Sequence, residues 1–258
     1  MHSIDASYNF FLVALSFLVS VFGSYTALQL MRAMRSASQS SRYGWMFAAA
    51  FALGGGAIWT MHFIGMIAYH SGMEVGYDPV LTFVSLVVAV SVVSLGIFIL
   101  SKKEDSILFL LIAGVITGLG VASMHYTGMA AMVMAADISY DNTLFALSLV
   151  IAVVAATAAL WLAFNLNGGL QIASASVVMG IAVCGMHYTG MAAMIMTPNG
   201  AEISVEAGME PLTLGLFIFC FSMLLLVLSL IVTMSQLQKR MYEELEDDDD
   251  DIMEAQTV

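Results

Sequence analysis

The chain has 258 residues, of which 60% are hydrophobic and only 10% are charged, whereas a soluble domain carries about 25% charged residues. We therefore expect an integral membrane protein with no room for a separate soluble enzyme domain. The formal net charge of −12 comes largely from an acidic run between Glu243 and Glu254, and no basic cluster is dense enough for nucleic-acid binding.

Seven apolar stretches are long enough for transmembrane helices, since about 20 residues rising ~1.5 Å each cross ~30 Å of hydrocarbon. In chain order they cover residues 8–30, 44–69, 79–100, 106–135, 143–164, 169–196 and 211–235. The first lacks the basic start of a cleavable signal peptide. We predict an all-α integral membrane fold over residues 1–238, followed by an acidic, disordered cytoplasmic tail over residues 239–258.

The positive charges predict the orientation, because Lys and Arg are enriched in cytoplasmic loops. All seven follow the first, third or seventh predicted helix: Arg32, Arg35, Arg42, Lys102, Lys103, Lys239 and Arg240. The charged loops on the other side carry only acidic residues. This pattern places the N-terminus outside and the C-terminus in the cytoplasm.

One six-residue motif occurs three times, in the second, fourth and sixth predicted helices. It reads MHFIGM at residues 61–66, MHYTGM at 124–129 and MHYTGM at 186–191. The three helices run in the same direction, so the histidines share one depth in the outer half of the membrane. The nearly equal spacing predicts three two-helix repeats plus one further helix.

Helical periodicity extends each motif, because offsets of −7, +4 and +7 from a histidine lie on the same helix face. Each stripe is predicted to carry a glycine, the histidine, a methionine and then a methionine or tyrosine. The outermost positions are Tyr69, Met132 and Met194. The glycines within the motifs, Gly65, Gly128 and Gly190, are expected to serve packing.

The motifs supply candidate metal ligands, because ionisable groups buried in a membrane are functional candidates. Neutral imidazole binds copper, zinc, iron and haem, and thioether sulfur selects Cu(I). The methionine at +4 suits a ligand and a packing role equally well, whereas packing is favoured for the methionine at −1. The candidate metal ligands are His62, Met66, His125, Met129, His187 and Met191, with Met61, Met124 and Met186 beside them.

These motifs resemble the MHYT domain of bacterial integral-membrane signalling proteins, named for the Met-His-Tyr-Thr string at residues 124–127 and 186–189. The first copy, at 61–64, departs from it at its third and fourth positions, and the resemblance extends to about Gln238. It implies a multi-pass sensor in the bacterial cytoplasmic (inner) membrane. It also implies copper bound by the Met and His residues, with oxygen, carbon monoxide or nitric oxide as the signal.

Such proteins often carry a cytoplasmic output domain, a cyclic-di-GMP enzyme or a histidine kinase, which is not present in this sequence. We therefore expect a separate cytoplasmic signalling protein as a partner, besides the lipid bilayer. The sequence has no phosphate loop, nucleophile elbow or HExxH motif, so we expect no enzymatic activity.

The sequence favours a copper-binding membrane sensor that responds to a diatomic gas or to redox state. One alternative is a haem protein with two of the histidines as axial ligands. Another is a metal-ion transporter, although the inner halves of the motif helices offer no ladder of polar groups. A scaffold whose repeats only pack helices is a further alternative.

Overall fold

The computed structural model describes residues 7–166, 168–200 and 208–225, and beyond them 227, 228, 231, 232, 234, 235 and 238. The helices are α1 Phe10–Ser36, α2 Gln39–Ala68, α3 Pro79–Ser101, α4 Ile107–Ala130, α5 Asn142–Asn165, α6 Gly169–Ala192 and α7 Pro211–Leu225. The first six are long and apolar enough to cross a membrane. Part of the seventh predicted helix and the predicted tail at 239–258 lie outside the described residues.

The odd-numbered helices α1, α3 and α5 begin in the same way. Asn9, Asp78 and Asp141 cap them, accepting hydrogen bonds of 2.8 to 3.3 Å from backbone N–H groups of the first turn. Such a cap stabilises a helix by about 1 kcal/mol. The backbone N–H group of each cap donates to the carbonyl six residues after a motif histidine, at Ala68, Ala131 and Ala193.

Six short strands close the three repeats at one end of the molecule. They pair antiparallel as β1 Ser7–Tyr8 with β2 Tyr69–His70, β3 Gly76–Tyr77 with β4 Met132–Val133, and β5 Ala136–Tyr140 with β6 Met194–Pro198. Each pair joins the segment before an odd-numbered helix to the segment after the next even-numbered helix. The structural repeats are therefore residues 7–70, 76–133 and 136–198.

These strands correct the predicted ends of the motif helices. Helices were expected to reach residues 69, 135 and 196, but they end at Ala68, Ala130 and Ala192. Tyr69, Met132 and Met194 lie in strands, so they do not continue the histidine face. Hydropathy could not show this, because an apolar strand and the last turn of an apolar helix have the same composition.

Hydrogen bonds between neighbouring repeats close the helices into a ring. The Tyr126 hydroxyl lies 2.7 Å from the hydroxyl of Ser148 on α5, and the Tyr188 hydroxyl lies 3.0 Å from that of Ser16 on α1. In the first repeat, where Phe63 lacks a hydroxyl, Trp59 Nε1 donates to Ser85 on α3 at 3.0 Å instead. Each bond links the even-numbered helix of one repeat to the odd-numbered helix of the next.

Helix α2 contains a π-helical segment, Phe51–Trp59, directly before the first motif. The backbone N–H of Thr60 bonds to the carbonyl of Gly55, five residues back, and its hydroxyl donates to the same oxygen at 2.9 Å. On this segment Gly55 and Gly56 lie against side chains of α7. This contact places α7 beside the π-helical segment of α2. Such π-helical turns often occur at functional sites.

A glycine comparison on α2 tests this packing. A Cβ added to Gly54 would lie 2.6 Å from the carbonyl oxygen of Ala89 on α3, whereas one on Gly44 meets nothing within 4 Å. Because overpacking costs about 1–3 kcal/mol, Gly54→Ala is expected to lower the melting temperature in detergent, and Gly44→Ala to leave it unchanged or raise it. Equal melting temperatures of the two variants would contradict the close approach of α2 and α3.

Candidate metal centre

The three motif histidines meet at the centre of the helix ring. His62 lies on α2, His125 on α4 and His187 on α6, and each is only 1% exposed. The Nδ1 atom of His62 lies 3.0 Å from that of His125 and 3.1 Å from that of His187, and the third distance is 3.4 Å. The stripes predicted from the sequence thus form one cluster rather than three separate sites.

The spacing of these nitrogens suits a metal ion. Three imidazole nitrogens held about 2.0–2.1 Å from a tetrahedral ion are about 3.3 Å apart. Hydrogen bonding among the rings cannot satisfy them all, because a protonated Nδ1 has no lone pair and an unprotonated one has no hydrogen to donate. A cation between the rings accepts all three lone pairs at once.

The motif glycines make room for the rings. A Cβ on Gly128 would overlap Nε2 of His62. The same relation holds between Gly190 and His125, and between Gly65 and His187. Each ring therefore lies against the even-numbered helix of the next repeat, and the predicted packing role of these glycines is the accommodation of an imidazole.

The outward edges of the rings are buried without polar partners. None of the three Nε2 atoms has a hydrogen-bond partner within the described part of the chain. An unsatisfied buried polar atom costs about 1–3 kcal/mol. Because each Nε2 lies against a motif glycine, the inward-facing Nδ1 atoms are the nitrogens available to bind an ion. Binding at that position offsets the cost of burying the rings.

The candidate methionines divide into two buried groups. Met61, Met124 and Met186 line a cavity together with the three imidazoles. Met66, Met129 and Met191, which follow the histidines by one turn, are at most 3% exposed and belong to the apolar core. Their roles as metal ligands stay predictions, and the shared cavity gives the first group direct access to the same space as the rings.

An aromatic layer covers the histidines on the side of the strands. Each imidazole packs edge-on against the next residue in the chain, Phe63, Tyr126 or Tyr188, at centroid distances of 4.7 to 4.9 Å. These rings contact a second set of tyrosines, one before each helix cap: Tyr77, Tyr140 and Tyr8. Burial raises the pKa of Tyr8 and Tyr77 above the ordinary phenol value, so both remain neutral.

The sequence motifs did not predict the second set of tyrosines, although a repeated sequence pattern marks their positions. Tyr followed by Asn or Asp precedes an apolar run three times, at residues 8–9, 77–78 and 140–141. The serine seven residues after each cap also recurs, as Ser16, Ser85 and Ser148. These positions mark the start of the odd-numbered helix in each repeat, which the histidine motif alone did not reveal.

A ring of apolar helix hairpins with three buried histidines at its centre defines a multi-pass membrane protein with a candidate metal-binding site. The family described as "Bacterial signalling protein N terminal repeat", MHYT, matches residues 55–113, 118–176 and 180–241. The chain therefore belongs to the MHYT family, as the sequence motifs indicated. The matched units begin within even-numbered helices, half a repeat away from the units that the strands close.

The chain is similar to several bacterial signalling proteins. It is 38% identical over 242 residues to the bifunctional diguanylate cyclase/cyclic di-GMP phosphodiesterase MucR of Pseudomonas aeruginosa, covering 91% of this chain and 35% of that protein. It is 37% identical over 218 residues to the cyclic di-GMP phosphodiesterase NbdA of the same species, covering 82% and 28%. It is also 34% identical over 236 residues to the signaling protein YkoW of Bacillus subtilis, covering 86% and 29%.

The chain thus spans about a third of the length of the curated relatives it matches. No solved structure matches it.

Two alanine substitutions on α6 test the role of the motif glycines. Gly190→Ala is expected to displace the His125 ring, because the added Cβ overlaps its Nε2, and misplacement of a ligand lowers metal affinity by about 10- to 100-fold. The measurement is a competitive titration of the purified, metal-loaded protein with a metal chelator. Gly185→Ala is the matched control, since a Cβ there meets nothing within 4 Å. Equal affinities of the two variants would show that ring placement does not depend on the glycine.

Proposed function

We propose that this chain is the sensory membrane domain of a bacterial signalling system and that it binds one copper ion between His62, His125 and His187. The observation that carries the proposal is the convergence of three buried Nδ1 atoms within 3.4 Å of one another. Bound copper would supply a redox-active ion able to take up a diatomic gas such as oxygen, carbon monoxide or nitric oxide.

The chemistry of the surroundings favours Cu(I) over divalent ions. All three histidines supply neutral ligands, and the nearby methionines are neutral and soft. A divalent ion would leave two positive charges in an apolar interior, where the cost of burying charge rises steeply. Cu(I) leaves one charge, and it is the ion that thioether sulfur selects, while imidazole also binds copper.

The chain's own residues perform three tasks in this proposal. The imidazoles hold the ion, the motif glycines fix the ring positions, and the aromatic layer with the paired strands keeps water from that side. A shift of His62 is transmitted along α2 to its π-helical segment and from there to α7. Trp59 supports this path, because its ring packs against Phe217 and Phe221 of α7 at 5.9 and 5.8 Å.

We infer that α7 leads towards a cytoplasmic output. The basic residues Arg32, Arg35, Arg42, Lys102 and Lys103 lie at the ends of helices opposite the strands, which supports the predicted orientation with the strands outside. The membrane is then the bacterial inner membrane. The names of two of these relatives, MucR and NbdA, describe cyclic di-GMP enzymes. We propose that this sensory region has no enzymatic activity of its own and acts on a cytoplasmic output of that kind.

The alternatives receive less support. Two axial haem ligands stand on opposite faces of the macrocycle, whereas these Nδ1 atoms lie within hydrogen-bonding distance of one another, and the cavity beside them measures about 50 Å³. A transporter requires polar groups along its path, and the walls of this cavity are apolar apart from Thr117 and the imidazoles. A scaffold gives no reason for burying three imidazoles with unsatisfied nitrogens.

Copper content tests the proposal directly. Purified protein reconstituted with Cu(I) under anaerobic conditions is expected to hold one copper per chain by elemental analysis, without the intense visible absorption of haem. His125→Ala is expected to lower affinity by about 100-fold or more, since it removes one of three ligands. His70→Ala, an exposed histidine in β2, is the matched control and is expected to bind as the wild type does.

The same experiment has clear contrary outcomes. Copper well below one equivalent in the reconstituted wild type, or unchanged copper in a variant with all three motif histidines replaced by alanine, overturns the copper site. A visible Soret band in the protein as purified favours the haem alternative instead.

A further inference from the structure

We propose that small neutral apolar molecules reach the histidine cluster from within the bilayer, through a dry cavity at the seam between α5 and α6. The ligand class is a diatomic gas or an atom of similar size. This inference deepens the proposed sensory function, but the cavity is a property of the polypeptide and can be tested without copper.

The cavity lies beside the histidines on the side away from the strands. Its floor is formed by the three imidazoles and the methionines that precede them, and its walls continue towards the other end of the ring through Leu53, Thr117 and Met179. Thr117 is the one hydroxyl among the described wall residues, and it donates to the carbonyl of Val92 at 3.5 Å. Apart from the imidazoles, nothing in the described wall offers a free polar group to hold a water molecule.

The size of the cavity selects its occupant. It measures about 50 Å³, whereas a water molecule needs roughly 10–15 Å³ on this scale and a cavity of about 150 Å³ holds benzene. A diatomic molecule or a xenon atom therefore fits, and an aromatic ring does not. Cavities with such apolar walls stay dry and bind apolar guests.

Exposure shows where the cavity approaches the lipid. Every described wall residue on α2, α3 and α4 is buried. The partly exposed wall residues all lie on α5 and α6: Ala155, Ala156, Ala159, Ala182 and Val183. The opening is therefore lateral, between two helices that face the hydrocarbon.

A departure from the threefold pattern explains why this seam is open. In the first repeat, a Cβ on Gly23 would lie 2.6 Å from the backbone nitrogen of Ala57, so α1 and α2 touch. In the second repeat, a Cβ on Gly120 would lie 2.5 Å from the side chain of Val92, so α3 and α4 touch. Each contact depends on a glycine, as small residues permit close helix approach in membranes.

The third repeat has no glycine at this level. Its equivalent residues are Ala155, fourteen residues after the cap of α5, and Ala182, five residues before His187. At this level the other repeats pair a glycine with Ala57 or with Val92, whereas the third pairs two alanines, so neither α5 nor α6 offers a residue without a Cβ for close approach. The space left between them is the lateral end of the cavity.

The apolar walls and the aromatic layer determine which molecules can reach the histidine cluster. A charged or strongly hydrated species would lose its hydration among apolar side chains at high cost. A small apolar molecule loses nothing on leaving hydrocarbon for such a cavity. On the opposite side, paired strands and the rings of Phe63, Tyr126 and Tyr188 cover the cluster.

Xenon binding tests the cavity in the copper-free full chain. The purified protein in lipid nanodiscs is expected to show a bound-xenon signal by xenon NMR, because xenon enters dry apolar cavities of this kind. Ala155→Leu fills the lateral end and is expected to remove the signal. Ala158→Leu, on the lipid-exposed face of the same helix, adds the same atoms and is expected to retain it.

A second readout uses carbon monoxide and copper-loaded protein. Ala155→Leu is expected to slow carbon monoxide association by roughly tenfold or more, because the ligand loses its lateral entry and meets a higher barrier, while the copper content stays at the wild-type value. Ala156→Val replaces it if Ala155→Leu does not fold.

The outcomes separate this inference from the copper proposal. Xenon binding without copper binding supports the cavity and overturns the copper site. Copper binding without a xenon signal in the wild type overturns the cavity, as does an unchanged xenon signal in Ala155→Leu or in its replacement Ala156→Val.

Discussion

Three imidazoles buried at one point in an apolar ring are the constraint on which the rest of the structure depends. Hydrogen bonds among the rings cannot satisfy all three inward nitrogens at once, whereas a cation between them can, and the outward edges of the rings need space against a neighbouring helix. The glycine three residues after each histidine supplies that space. Three equal repeats satisfy both requirements together, because each helix presents a ring to one neighbour and a glycine to the other.

The centre follows the threefold pattern, and the periphery departs from it in two repeats with different consequences. In the first repeat, Trp59 takes the place of the motif tyrosine in bonding to the next repeat, and the adjoining π-helical segment contacts α7. In the third repeat, Ala155 and Ala182 replace a glycine contact and leave a lateral cavity. In the function proposed here, the first repeat passes a signal to α7 and the third admits a small ligand.

Much of the fold was predictable because hydropathy, basic charges and a repeated motif report on the membrane and on helix direction. Those signals gave the helices, the repeats and the common depth of His62, His125 and His187, but they left open whether the three histidines meet at one site. They did not give the strands after Ala68, Ala130 and Ala192, since apolar strands and apolar helix ends look alike. The π-helical turns and the α5–α6 cavity depend on helix contacts that distant residues make.

The structure also ranks the residues of the motif by how strictly geometry constrains them. The tyrosine bonds to a serine of the next repeat, and Trp59 performs that task where Phe63 stands. The threonine is replaced by Ile64 without loss of the ring arrangement. No other residue can replace Gly65, Gly128 or Gly190 in the same way, because any Cβ overlaps an imidazole of the preceding repeat. The glycine, which the four-letter name omits, is therefore as essential to the centre as the histidine.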